Sequence, residues 1–133
     1  MSSEAVRERP AARQAGLPRR RVVDCRHSDY DVYIGRGRDP RSGEPGEWGN
    51  PFPTGADGSR LEVIEKYRCW LWAEIQAERI DVAALAALHG KTLGCWCAPR
   101  RCHGEVLQAA AIWALAEQAR RLSKRVGEML AGA

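Results

Sequence analysis

Apolar positions along the chain follow two different periods, and the switches between them mark out the elements. Arg21-Val22-Val23-Asp24-Cys25-Arg26 and Asp31-Val32-Tyr33-Ile34-Gly35 are short β-branched runs with a polar turn over Arg26 to Tyr30 between them. The spacing then changes to three and four residues. Leu61, Ile64, Tyr67 or Arg68, Leu71 and Ile75 mark the buried stripe of a helix that runs to about Glu78, with Trp70 and Trp72 beside it. Ser59-Arg60-Leu61-Glu62 supplies its capping box. Asp81 caps a short second helix over Val82 to Leu88, which Gly90 closes. Lys91 to Trp96 is the third strand. A last helix opens near His103 or Gly104 and continues to about Leu130, with an apolar stripe through Leu107, Ala111, Ala114, Leu115, Leu122, Val126 and Met129. Its alanine-rich first half allows close approach to a sheet, and its second half overhangs. Strands alternating with helices predict a small α/β domain of two or three layers, with a three- to four-stranded, mostly parallel sheet and a long C-terminal helix.

The stretch from Gly35 to Gly58 fits neither period. Its glycines and prolines exclude helix and central strand, and a loop of more than about twenty residues in a small domain is functional or disordered. Trp48 and Phe52 flank a turn in its second half, so they pack on the body or stack on a ligand.

Charge changes the picture only at one end. The net charge is +4 over 133 residues, and the whole excess sits in residues 1–21, where six arginines face two glutamates. Residues 1–20 are expected to be a disordered Arg-rich tail, and residues 21–133 a single domain. The domain itself makes no electrostatic case for a duplex footprint, whereas the tail would contact nucleic acid or an acidic partner. No apolar run approaches the roughly eighteen residues of a membrane span, and no apolar signal core opens the chain, so the expected location is cytoplasmic, with no membrane partner. Five cysteines without an export signal are reduced thiols or metal ligands rather than a disulfide framework. Cys25 and Cys69 are expected in the core, and His27 and His89 in solvated turns.

Three cysteines and a histidine crowd into Leu93-Gly94-Cys95-Trp96-Cys97-Ala98-Pro99-Arg100-Arg101-Cys102-His103-Gly104. On a strand Cys95 and Cys97 share a face and Trp96 points to the other, while Cys102 and His103 arrive where the next helix begins. Three readings of the cluster stand side by side. Cys95, Cys97, Cys102 and His103 form a Cys₃His set, for which zinc is the natural metal. A thiol at a strand–loop–helix junction, Cys102 with His103 beside it and Glu105 one turn in, would instead be reactive beside a bound anion. Cys95 followed by Arg101 even matches the cysteine-phosphatase spacing, although Pro99 removes a backbone N–H and Cys102 replaces the expected Ser or Thr. Finally, free cysteines are among the most buried residues and serve as small core hydrophobes.

The ordered set Asp31-Val32-Tyr33-Ile34-Gly35-Arg36, Trp48-Gly49-Asn50-Pro51-Phe52, Gly94-Cys95-Trp96-Cys97-Ala98-Pro99 and Cys102-His103-Gly104 resembles a bacterial and bacteriophage domain family of unknown function, catalogued as number four-three-two-six. The chain departs from that pattern by an insertion, Gly37 to Glu47, between the Tyr-Ile-Gly-Arg and Trp-Gly-Asn-Pro-Phe segments.

Ligands of open α/β sheets lie outside the carboxyl ends of the strands. There Arg36 would hold a phosphate or carboxylate, Asn50 would read an amide or base edge, Trp48 would stack, and Cys102 and His103 would form the floor. The expected ligand is a nucleotide, nucleoside or nucleic-acid base. If a reaction follows binding, at an N-glycosidic or phosphate bond, Cys102, His103 and Glu105 are its candidate catalytic residues. The alternative is a zinc-stabilised, non-catalytic module that binds nucleic acid or an acidic partner through the basic tail.

Overall fold

The structure, a computed structural model, describes residues 21–132. The Arg-rich tail of residues 1–20 lies outside the described residues. Three short strands, β1 (Val22–Asp24), β2 (Val32–Tyr33) and β3 (Leu93–Cys95), make one sheet in the order β1-β3-β2, and both pairings are parallel. Helices α1 (Arg60–Gln76), α2 (Val82–Ala86) and α3 (Gly104–Gly132) complete the expected α/β domain.

Each strand is shorter than its β-branched run, and this has a topological consequence. Consecutive parallel strands normally need a crossover of a dozen residues or more. Here β1 is so short that residues 25–31 carry the chain from its carboxyl end back to the amino end of β2, leaving a gap that β3 fills. Leu93 is consequently in register with both Val22 and Val32. All three residues of β3 are buried, as expected for a central parallel strand.

Ser59 caps α1 through the expected box, its hydroxyl accepting from the Glu62 N–H while the Glu62 carboxylate accepts from the Ser59 N–H. The buried stripe is Val63, Tyr67, Leu71 and Ile75, a strict four-residue spacing. Leu61, expected on that stripe, is 57% exposed. It lies about 200° around the helix from Val63, the residue that opens the buried face instead. Cys69 is also exposed rather than in the core, on the solvent side of α1 near the Arg68–Glu65 ion pair. Cys25 is buried in a small second cluster with Tyr30 and Tyr33.

α3 begins on a glycine because nothing larger fits. A Cβ at Gly104 would lie 2.8 Å from Val22 Cγ2 and 3.0 Å from Ile34 Cδ1, so the helix start presses on the sheet. Leu107, Ala111 and Ala114 are buried, and beyond Ala114 the helix leaves the body. Leu122, Val126 and Met129 stand exposed on the overhang, as the alanine-rich first half suggested. Among the described residues no helix is long and apolar enough to cross a membrane.

Candidate functional site

β2 and β3 are parallel, so the segments that follow them, Ile34-Gly35-Arg36 and Trp96-Cys97, leave the same edge of the sheet. The N-termini of α1 and α3 reach that edge too, bringing Arg60 and the Cys102-His103 pair. Together they line a small cleft of about 80 Å³. The Gly37–Glu47 insertion does not separate its walls. It folds on itself through an Arg38–Pro45 bridge and the Gly46 N–H to Gly37 carbonyl bond, with positive φ at Gly37 and Gly43. Its ends therefore meet: a Cβ at Gly49 would lie 3.1 Å from the Arg36 Cα.

Sulfur and imidazole form the floor. The ligand atoms of Cys95, Cys102 and His103 all lie within 4.8 Å of one another, and all three residues are buried. This is a set able to hold a metal ion. The expected fourth member, Cys97, stands outside this compact group, half-buried on the cleft wall, with the Cys102 and Cys95 thiols near enough to affect its pKa. His103 Nε2 lies 2.6 Å from the Ile34 carbonyl. That carbonyl can only accept, so Nε2 carries the proton. Burial foremost pushes the His103 pKa down, against the upward pull of the carbonyl.

The three thiols differ in acidity because each has different neighbours and a different depth. Cys102 at the helix start was the anticipated reactive thiol. Instead, its hydrogen bonds to Cys95 and then Cys97, reinforced by burial, push its pKa up. Cys97 receives those bonds, from Cys102 first and Cys95 second. With Arg60 beside it, its pKa lies well below the ordinary thiol range. For Cys95 the bond with Cys102 acts downward, while that with Cys97 and burial act upward, and its pKa ends at about 11.

The other expected site residues separate into two groups. Arg36 lines the cleft and is exposed, as expected. Asn50 also borders it, but its side chain is committed to the backbone: Nδ2 donates to the Val63 carbonyl at 3.1 Å and Oδ1 accepts from the Phe52 N–H at 2.9 Å. It ties the loop to α1 rather than reading a ligand. Asn50→Ala is expected to cost about 2 kcal/mol, the scale of two buried hydrogen bonds. A urea unfolding midpoint measures this, and unchanged stability would contradict the tying role.

Trp48, the expected stacking residue, does not line the cleft. Only 8% of it is exposed, it packs in the main core, and its carbonyl accepts from the Tyr67 hydroxyl at 2.9 Å. Burying so large a ring outweighs leaving it at the rim. Glu105 is paired with Arg101 at 3.0 Å and lines a separate groove between α1 and α3. The candidate proton-handling group is thus not among the residues lining the cleft, and no carboxylate lines it among the described residues.

Among the lining residues that the sequence reading did not single out as ligand contacts are Arg60 and Trp96. A signal for Arg60 existed. The residue after an N-cap, on a helix that packs on a parallel sheet, stands at the sheet's carboxyl edge. Among the described residues neither Arg36 nor Arg60 has a carboxylate partner; Arg60 Nη1 donates to the Arg101 carbonyl at 3.2 Å.

A parallel sheet with helices packed on it, and a carboxylate-free cleft at its carboxyl edge, make this a small α/β domain. The chain belongs to the family described as "Domain of unknown function (DUF4326)", which matches residues 18–113. The match spans every wall of the cleft and stops just where α3 leaves the body. A protein of Enterobacteria phage T4, named "Uncharacterized 12.4 kDa protein in nrdA-td intergenic region", is 38% identical over 87 residues, covering 65% of this chain and 72% of the phage protein. No solved structure gives a significant match.

Proposed function

We propose that this domain binds a nucleotide through its phosphate, held between Arg36 and Arg60 at the carboxyl edge of the sheet. One observation carries the reading: two guanidinium groups without carboxylate partners face a cleft that no carboxylate lines. Guanidinium matches phosphate with paired N–H donors, and its charge-assisted bonds are about twice as strong as neutral ones. The start of α3 adds the positive end of a 29-residue helix. At about 80 Å³ the cleft is far smaller than the roughly 300–1,000 Å³ of sites that enclose a whole small molecule. It suits one anionic group, and the rest of the ligand lies along the rim. Calorimetric titration with adenosine monophosphate and with adenosine tests this. The phosphate is expected to improve affinity by about tenfold or more, the scale of one charge-assisted contact; equal binding of the two, or none, overturns the reading.

A second reading concerns the floor of the same cleft. Zinc held by Cys95, Cys102 and His103, with Cys97 completing the set, would staple β3 to the start of α3. The observation that favours it is the approach of three ligand atoms to within 4.8 Å, which a small closure would bring onto a metal with Zn–S bonds of about 2.3 Å. The Ile34 carbonyl on Nε2 supports it further, because a backbone carbonyl that fixes the ring is the usual partner behind a metal-bound histidine. Protein purified without added metal is then expected to contain one zinc per chain and to melt at a lower temperature once chelated. Metal-free protein whose melting temperature chelators leave unchanged would exclude the staple.

A further inference from the structure

We propose that Trp96 is the platform on which the base of the bound nucleotide stacks. This inference rests on the phosphate reading above and assigns the base a place that Trp48 cannot provide. The cleft holds the anionic group only, so whatever is attached to it emerges at the rim; of the two aromatic residues lining the cleft, Phe52 is half-buried and Trp96 is the more open, with 40% of it exposed.

Its position is built rather than incidental. The indole Nε1–H donates to the Tyr33 hydroxyl at 2.6 Å, and that hydroxyl in turn donates to the Arg36 carbonyl. One chain of bonds therefore ties the ring to the backbone of the residue that holds the phosphate. Gly35 leaves room for this: a Cβ there would lie 2.6 Å from the Tyr33 hydroxyl oxygen and 2.8 Å from Trp96 Cδ1. The guanidinium of Arg26, itself paired with Asp24, sits 5.6 Å from the ring centroid. A ring with its polar edge satisfied inward and its orientation fixed loses little freedom when a base settles on it. Every base presents a flat π-face, so the platform selects nucleotides over sugar phosphates without choosing among bases.

Adenosine monophosphate and ribose 5-phosphate share the phosphate and differ in the base, which makes them the probes. Both are titrated into the full chain and into Trp96→Ala. In the unaltered protein adenosine monophosphate is expected to bind about tenfold tighter, in the range of base–aromatic stacking. In Trp96→Ala that preference disappears while ribose 5-phosphate binds as before. A preference that survives Trp96→Ala overturns the stacking role, as does equal binding of the two ligands by the unaltered protein, and both leave the phosphate reading intact. Binding of neither ligand overturns the phosphate reading and this inference with it. Trp96→Phe keeps an aromatic ring at the position and guards against a misfolded alanine variant: adenosine monophosphate is expected to quench indole emission in the unaltered protein and not in Trp96→Phe, and equal quenching in both contradicts the platform.

Discussion

Gly94→Ala is expected to destabilise the protein by about 3 kcal/mol, the upper range for overpacking a filled core. Gly94 is the middle residue of the central strand, paired with Val23 on one side and Tyr33 on the other. An added Cβ would lie 2.5 Å from Tyr30 Cγ and 2.8 and 2.9 Å from its two Cδ atoms. These are the fixed atoms at the root of the ring. The far end of Tyr30 is bonded to Asp39, its carbonyl accepts from Arg41 at 2.9 Å, and the Arg41 guanidinium sits 4.7 Å from the ring centroid, so the ring cannot step aside without losing several contacts. Gly127→Ala supplies the opposite sign. That glycine lies within α3 with nothing within 4 Å of an added Cβ, and alanine there is expected to stabilise by about 0.5–1 kcal/mol through helix propensity. Urea denaturation of both variants measures the contrast; a Gly94→Ala midpoint equal to that of the parent protein would show that the sheet does not close on Tyr30 as described.

Reversing both cleft cations, Arg36→Glu with Arg60→Glu, is expected to weaken nucleotide binding by more than about 100-fold. Two charge-assisted contacts of about 1.5–3 kcal/mol each are lost, and repulsion of the phosphate is added. The fold should tolerate the change. Arg36 is exposed and has no carboxylate partner among the described residues. Arg60 is the first residue of α1, where a glutamate favours the positive end of the helix. Loss of affinity with an unchanged urea midpoint is the expected pair of results. Affinity retained in the double variant would move the phosphate contact elsewhere, and the arginines of residues 1–21 would become its natural holders, with binding that falls steeply as salt rises.

The elements were legible in the sequence because each carries its own local signal. The Ser59 box, the Asp81 cap and the glycine at position 90, where φ is +79°, act within a few residues and leave their mark in composition. Strand order left no such mark. β1 and β2 are neighbours in sequence, and only the brevity of the strands and the burial of all of β3 put Leu93 between Val22 and Val32. The gathering of Arg36, Asn50, Cys95, Cys97, Cys102 and His103 at one edge followed from a single rule about parallel strands, and the cleft contains all six. Their roles did not follow. Whether Asn50 faces a ligand or the Val63 carbonyl, and whether Trp48 or Trp96 is the open ring, depends on the path of the long loop, and glycines and prolines specify turns without specifying where the turns lie. The proton distribution among the thiols was beyond reach for a related reason. Helix position favours Cys102, but the Cys102 and Cys95 thiols first, and Arg60 after them, pull the Cys97 pKa down, while Cys95, Cys97 and burial push that of Cys102 up.

The most direct measurement is a crystal structure of the protein grown with adenosine monophosphate. The account places the phosphate within hydrogen-bond distance of both Arg36 and Arg60. A nucleotide bound with its phosphate on other residues, or crystals at saturating nucleotide with this cleft empty, would contradict it.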